Sequence, residues 1–453
     1  MNKKIFSMSM LLPVCALPVG AVDKSHKEVS SKEQKPNVIV IYADDMGTLD
    51  LNCFGAPDLI TPNIDAIADQ GVKFTQFYGC PVSSASRACL MTGQFSKRNG
   101  VSGNAGKIGF HLGTESLAER MQSGGYSTAC IGKWHMGSSE GYRPFERGFE
   151  HFWGFLGGCI DSYSHFHYWS GPNRHDLWEN DKEIYRYGRF FIEESLDEAC
   201  KFMDKHEDDP FFLYWAVNIP HYPLQPKPEW LERYSHLDNP RRMYAAFIST
   251  LDDYVGELMD YLEEKDLRDN SIIIFQSDNG HSMEVRNFGS GGYCGDYRGA
   301  KFSIFEGGIR VPAIISWPGH IPEGESRNQI AMNIDWFPTL VELCGLDSEG
   351  MDVDGRSLVP VIKHANKKTP HEVLHFDFQK QWAVRKGDWK LIGNPRDVLE
   401  NDKFINHKGL FLANIKEDPS ESQNLAEKYP QKVQELQKIR DEYVKQLKQS
   451  NEK

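Results

Sequence analysis

The segment Asn37-Val-Ile-Val-Ile-Tyr42 is a nearly unbroken apolar run that stops at Ala43-Asp44-Asp45-Met46-Gly47. A short run of β-branched residues fits a strand buried on both faces, as in a parallel sheet. The same grammar recurs downstream. Ser127–Ile131 leads into Gly132-Lys133-Trp134-His135, and Phe211–Val217 into Asn218-Ile-Pro-His221. Ser271–Phe275 leads into Gln276-Ser277-Asp278-Asn279-Gly280-His281. Helix-like stretches lie between, one opened by Pro62 and running to about Gly71, another from Pro240 to Glu264. Strand, polar loop and helix in repetition predict an α/β fold, a large mostly parallel sheet flanked by helices. After about Asp335 the pattern changes. A helix starts at Asp335–Leu340, and strand-like pieces follow at Trp382–Arg385, Trp389–Ile392 and Leu410–Asn414. A last helix begins near Pro430. This predicts a smaller C-terminal α+β subdomain.

Open α/β sheets take ligands outside the carboxyl ends of their strands. The groups collected there are specific. Asp44, Asp45, Asp278 and Asn279 offer oxygen donors, and Arg87, Lys133 and Lys301 offer positive charge. His135 and His221 can move protons near neutral pH. Oxygen-only donors suit calcium or magnesium rather than zinc. In one shared pocket the three carboxylates and three cations cancel, and a divalent ion leaves about +2 to hold and polarise an anionic group. Singly, each residue has a plainer role: Asp44-Asp45 as a loop and helix cap, Asp278-Asn279-Gly280 as a turn, the lysines as surface groups, His221 as a loop histidine. His281 reads as a supporting residue rather than a ligand. The common topological position argues against all of them being incidental.

Length sets the frame. The 453 residues exceed one ordinary core and predict one large domain plus a smaller one. A hydrophobic fraction of 40% and an aromatic fraction of 12% describe a globular chain. The net charge of −13 disfavours nucleic acid as a partner. The N-terminus, with Lys3 and Lys4, the apolar run Ile5–Val19 and Val19-Gly20-Ala21, reads as a secretory signal peptide over 1–21. A polar leader follows over 22–36. Val14 before Cys15 argues against lipoprotein processing, and no later stretch is long and apolar enough for a membrane span. An exported, periplasmic chain is the expectation, ahead of a lipoprotein or an extracellular one. Eight cysteines outside that signal show no zinc spacing and no CxxC pairing.

The stretch Ser83-Ser84-Ala85-Ser86-Arg87, closing at Met91-Thr92-Gly93, resembles the signature of type I sulfatases of the alkaline-phosphatase-like superfamily. Agreement extends to Ala43-Asp44-Asp45, Gly132-Lys133-Trp134-His135, Pro220-His221-Tyr222-Pro223, Ser277-Asp278-Asn279-Gly280, Arg298-Gly299-Ala300-Lys301 and Glu306–Pro312. It continues in Asp335–Leu340, Trp389–Ile392 and Asp418–Glu421 with Asn424–Ala426, covering about residues 36–430. The resemblance implies a catalytic domain over 37–365 and a subdomain over 366–453. It implies that Ser83 is oxidised to formylglycine by a radical maturase before export. Cys80 and Cys89 lack an arginine four residues on, where Ser83 has Arg87. Ala85 stands for the commoner proline, and Gln94 stands where arginine usually closes the motif, so that side chain's support is expected to be missing.

By the same resemblance Asp44, Asp45, Asp278, Asn279 and modified Ser83 are expected to bind one calcium ion, with magnesium the lesser choice. Arg87 would orient the aldehyde hydrate, and Lys133 and Lys301 would hold sulfate oxygens. His221 would protonate the leaving sugar oxygen, and His135 would assist sulfate release. The modification has a physical reason: a serine hydroxyl without a nearby base is a poor nucleophile. The insert Cys159–Trp178, rich in aromatics, His and Arg, suits a sugar face or a structural lid. Arg174 and His175 are its candidate hydroxyl contacts. The local text resembles bacterial enzymes acting on sulfated galactose or N-acetylgalactosamine of host glycans, with the 3-O-sulfate favoured over 4-O and 6-O. Two rivals stand beside this: a phosphodiesterase or phosphatase of the superfamily, and a non-catalytic glycan-binding protein with Ser83 unmodified.

Overall fold

Val38, Val40 and Tyr42 point to one side of their strand, Ile39 and Ile41 to the other, and all five are fully buried. Such a strand needs cover on both faces, and the computed structural model supplies it. The structure describes residues 35–167, 171–289, 291–399 and 403–451. The expected signal peptide, with Cys15, and the leader up to residue 34 lie outside them, as do residues 168–170 of the aromatic insert.

The Asn37–Ala43 strand lies at the centre of a ten-stranded sheet, between Ser271–Ser277 and Phe211–Ala216. Ser127–Lys133 and His151–Phe155 extend the sheet beyond Phe211–Ala216, and all five strands are parallel. Ala313–Ser316 runs antiparallel on the other flank, followed by Gly71–Phe74 and Glu325–Arg327. The sheet is therefore large and mostly parallel. One face packs Ile39, Ile41, Leu213, Trp215, Ile273 and Phe275 against Phe247 and Leu251 of the Arg241–Glu264 helix. The other packs Val40, Tyr42, Tyr214 and Ile274 with Leu90 of the Ser83–Thr92 helix and with Trp336.

Register fixes the site. Ala43 pairs with Ser277, and Ala216 with Gly132, so four strands end level. Asp44 and Asp278 then emerge side by side. Two strands run further than the sequence suggested, because Gly132-Lys133 and Gln276-Ser277 still belong to the ladder.

Downstream, Val373–Phe378, Gln381–Lys386, Trp389–Gly393 and Leu410–Asn414 form a four-stranded antiparallel sheet. Its outer face packs Val384, Leu391 and Leu412 on Leu436 of the Pro430–Asn451 helix. Its inner face, through Leu374, Phe376, Ala383 and Ile392, covers Val82, Ala85 and Cys89 behind the Ser83–Thr92 helix. No helix among the described residues is long and apolar enough to cross a membrane.

Candidate active site

Ser83 is the first residue of a ten-residue helix that is buried along its whole length. Small side chains permit that depth. Ser86 Oγ meets Tyr42 Oη at 3.2 Å and accepts from Asn333 Nδ2 at 2.8 Å. A turn earlier, a Cβ on Gly79 would come within 2.2 Å of the Asp278 carbonyl. Only a residue without one lets the signature segment sit against the strand end.

Arg87 lies one helical turn after Ser83, on the same face. Its Nε donates to Ser83 Oγ at 2.9 Å, Nη1 to Tyr214 Oη at 3.1 Å and Nη2 to Asp278 Oδ2 at 3.1 Å. Its Nη2 also stands 3.5 Å from Asp44 Oδ1. Lys133 Nζ donates to Asp44 Oδ2 at 2.6 Å. Lys301 Nζ donates to Asp45 Oδ2 at 2.8 Å, lies 3.3 Å from Glu284 Oε2, and meets His221 Nε2 at 3.4 Å. Asn279 Nδ2 donates to Asp45 Oδ1 at 2.7 Å. Asp278 Oδ1 accepts the Asp45 and Asn279 backbone N–H groups at 3.0 and 2.8 Å. The structure thus brings Ser83, Arg87, Asp44, Asp45, Asp278, Asn279, Lys133, His221 and Lys301 into one bonded cluster.

The electrostatics are those of an oxygen-rich centre held together by cations. Burial raises the Asp278 carboxyl above its usual range, and neighbouring Asp44 adds to this. Burial likewise raises Asp45, against the pull of Lys301. Asp44 is also penalised by burial, but Lys133 and Arg87 outweigh it and hold the group below its usual range. Burial, with help from Lys301, lowers His221 to about 3 although Asp45 opposes. His135 is pushed well below its ordinary value by burial, then by Lys133 and Arg87. Both imidazoles are neutral near pH 7. His221 Nδ1 donates to the Tyr222 carbonyl at 2.8 Å, which leaves Nε2 as the acceptor toward Lys301.

The donor set fits a hard cation. Among the described residues Asn279 Oδ1 is buried and accepts no hydrogen bond, and buried Asp44 Oδ1 has only the long 3.5 Å ion-pair contact with Arg87. Unpaired buried acceptors are costly, and a cation at that point removes the cost. Asp44, Asp45 and His221 each bring one ligand atom within 4.8 Å of the others. Asp278 is further committed, with one oxygen on Arg87 and the other on two backbone amides.

A cavity of about 580 Å³ opens over the cluster, lined by Ser83, Lys133, His135, His221 and Lys301 and, farther out, by Arg174 and His175. His175 Nδ1 is 2.9 Å from Glu183, and its ring stacks on Tyr185 at 4.3 Å. Arg174 is exposed. His281 is near Asp50 and Arg241 rather than the cluster, and its Nδ1 meets no partner among the described residues. Gln94 turns away as well. Its Nε2 donates to the Asp352 carbonyl at 2.7 Å, so it braces a neighbouring loop.

Sequence reasoning missed Tyr42 and Tyr214, which cradle Arg87, and Glu284, which shares Lys301. The tyrosines sit on the strand face that packs against the signature helix, where the period-2 pattern marks them as core and not as partners of a guanidinium. Glu284 follows His281 by three residues in a loop without periodicity.

Comparison with known proteins agrees with this architecture. The Sulfatase family profile matches residues 36–346, and the profile described as N-sulphoglucosamine sulphohydrolase, C-terminal, matches residues 300–453. Arylsulfatase J of Mus musculus is 30% identical over 92% of this chain and 77% of its own length. N-acetylgalactosamine-6-sulfatase of Rattus norvegicus is 32% identical over 79% of this chain and 71% of its own. The crystal structure of Ps i-CgsB in complex with k-i-k-neocarrahexaose superposes with a TM-score of 0.81 at 30% identity, covering 90% of this chain and 93% of that one. A family profile over most of the chain, on a sheet that gathers these residues at its strand ends, leaves one conclusion: the chain belongs to the sulfatase family, as a type I sulfatase of the alkaline-phosphatase-like superfamily, and is a sulfuric ester hydrolase.

Proposed function

We propose that the protein is an exported, periplasmic carbohydrate sulfatase that removes sulfate from galactose or N-acetylgalactosamine in host glycans, the 3-O-ester first. The observation that carries this reading is the Arg87-to-Ser83 contact on the floor of a sugar-sized cavity walled by Lys133, His135, His221 and Lys301. The secretory character of residues 1–21 supports export. The name of the rat relative keeps the 6-O-ester in the test panel.

Asp44, Asp45, Asp278 and Asn279, with modified Ser83, would hold calcium, which supplies Lewis-acid polarisation of the sulfate. Formylglycine made from Ser83 by a radical maturase would supply a nucleophilic oxygen. The unmodified serine offers only a weak one, since its Oγ accepts from Arg87 and no base bonds it among the described residues. Arg87 fixes the side chain at position 83. Lys133 keeps two of its three ammonium donors for sulfate oxygens beyond Asp44. Lys301 already faces three partners, so taking a sulfate oxygen means releasing one of them. His221, neutral at rest, would have to take up a proton before it could protonate the leaving oxygen. Lys301, which burial would lower but Asp45 and Glu284 hold well above its usual range, keeps its own proton and positions Nε2. His135, also neutral, can accept a proton as sulfate departs.

Intact-mass analysis of the Ser83 peptide from purified protein tests the modification, whose expected signature is the loss of two hydrogens. Assay on 3-O-, 4-O- and 6-O-sulfated galactose and N-acetylgalactosamine, beside the matching phosphate esters, tests the reaction. Release of phosphate but not sulfate sinks the reading.

A further inference from the structure

The outer wall of the cavity carries three cations that the reaction does not use: Lys107, Arg143 and Arg174. The two inner lysines are ion-paired with aspartates. The three outer cations have no carboxylate within ion-pair distance among the described residues. The carboxylates that line the same cavity are already committed. Glu284 faces Lys301. Asp176 accepts from the Leu156 and Gly157 amides and from Trp178 Nε1 at 2.8–3.1 Å. On a chain of net charge −13, three cations around one opening with no carboxylate partner among the described residues run against the general surface.

These side chains are placed by structure. Ser84 Oγ, inside the signature, accepts the Ala105 amide at 2.8 Å and ties down the loop that carries Lys107. The Lys107 carbonyl accepts the Ser138 and Ser139 amides at 3.1 and 3.0 Å. Arg143 Nε donates to the Ser138 carbonyl at 3.0 Å, and its guanidinium lies 5.9 Å from the centre of the Trp178 ring. Arg174 is held by strand pairing with His167. Three separate segments thus converge, leaving the Lys107 ammonium, the terminal nitrogens of Arg143 beyond its Ser138 and Trp178 contacts, and the Arg174 guanidinium without a carboxylate partner among the described residues.

We infer that this rim is a second anion-binding subsite, and that the substrate is a glycan bearing, besides the ester to be cleaved, another sulfate or a uronate carboxylate on the same or the adjoining sugar. This rests on the reading of the cavity as a sulfated-glycan site. Guanidinium groups match both anions through paired N–H donors. Two charge-assisted contacts are worth about tenfold or more in affinity, and the gain weakens as salt screens it.

The test is calorimetric, on the full chain carrying Ser83→Ala so that nothing turns over. The ligands are a singly sulfated galactose disaccharide, its disulfated counterpart and its uronate-containing counterpart. The second anion is expected to tighten binding about tenfold or more at low salt. The triple change Lys107→Gln, Arg143→Gln, Arg174→Gln is expected to abolish that gain. Lys107→Gln alone, at an exposed side chain that bonds no described group, is expected to reduce it with the fold intact. A gain with the disulfated ligand alone assigns the rim to sulfate, and a gain with the uronate ligand assigns it to carboxylate. Equal affinity for all three sugars, a gain that survives the triple change, or no binding overturns the inference. Turnover on singly sulfated sugars, measured separately on unsubstituted protein, judges the sulfatase reading by itself.

Discussion

At the scale of single residues, His221 and Lys301 act as a unit. Lys301 Nζ reaches Nε2 of the neutral imidazole at 3.4 Å, so each group fixes the other's position. Removing a general acid typically costs 10²–10⁴-fold, and His221→Ala is expected to lose turnover in about that range on a sulfated sugar. Residues that act together do not contribute additively. The double variant His221→Ala, Lys301→Gln is therefore expected to lose less than the product of the single losses. Steady-state rates of the four forms check this, and full multiplicativity would separate the two roles. Most of this cluster was legible in the sequence because Asp44, Asp45, Lys133, Asp278 and Asn279 sit at or within two residues of a strand end and Ser83 and Arg87 in the signature, whereas His221 and Lys301 lie in longer loops and stood out through the family resemblance. Tyr214 was not, since nothing local distinguishes a core tyrosine from one whose hydroxyl accepts from a buried guanidinium. The pairing of Lys301 with Asp45 also joins segments far apart in the chain, and its second partner Glu284 comes from the preceding loop.

At the scale of elements, the strand ends do the positioning. Gly132 adopts φ +112, and a Cβ there would come within 2.0 Å of the Ala216 carbonyl on the paired strand. Gly132→Ala is expected to cost at least about 2 kcal/mol from the backbone conformation and the clash together. It also displaces Lys133 from Asp44. Urea denaturation gives the first effect and loss of turnover the second. Wild-type stability with wild-type rate would contradict the account. Asp44 and Asn279 have buried oxygens on adjacent strand ends, so an ion held there would staple the two strands. Chelation should lower the melting temperature, and added calcium should restore it, by about 3 kcal/mol at a hundredfold excess over its dissociation constant. The four central strands were readable because they are continuous apolar runs between polar loops. Gly71–Phe74 was not, as Lys73 interrupts its short run. The Ser127–Lys133 strand was read two residues short, because a lysine normally marks a strand's exit and here its charge is neutralised by Asp44.

At the scale of the whole molecule, the small antiparallel sheet holds the signature helix from behind, and a buried charge network locks the two parts together. Lys390 Nζ lies 2.8 Å from both Glu306 Oε1 and Glu421 Oε1. Glu421 Oε2 accepts the Glu306 amide at 2.6 Å, and Tyr78 Oη, beside Arg385, donates to Glu306 Oε2 at 2.7 Å. Burial raises the Glu421 carboxyl to about 7, with Glu306 adding to it and Lys390 opposing. The sign follows from proton binding. Between the unfolded value of 4.5 and about 7 the folded chain holds this proton more tightly than the unfolded one. Stability from this group is therefore fully present below about pH 4.5 and falls as pH rises to about 7, beyond which it is flat. The change is on the order of 3 kcal/mol. Glu421→Gln removes the titrating group, so its melting temperature should decline less than wild type between pH 5 and pH 7, whatever its absolute level. Equal slopes for the two proteins would mean that Glu421 stays ionised throughout, with Lys390 outweighing burial, and that the lock between sheet and helix is insensitive to pH.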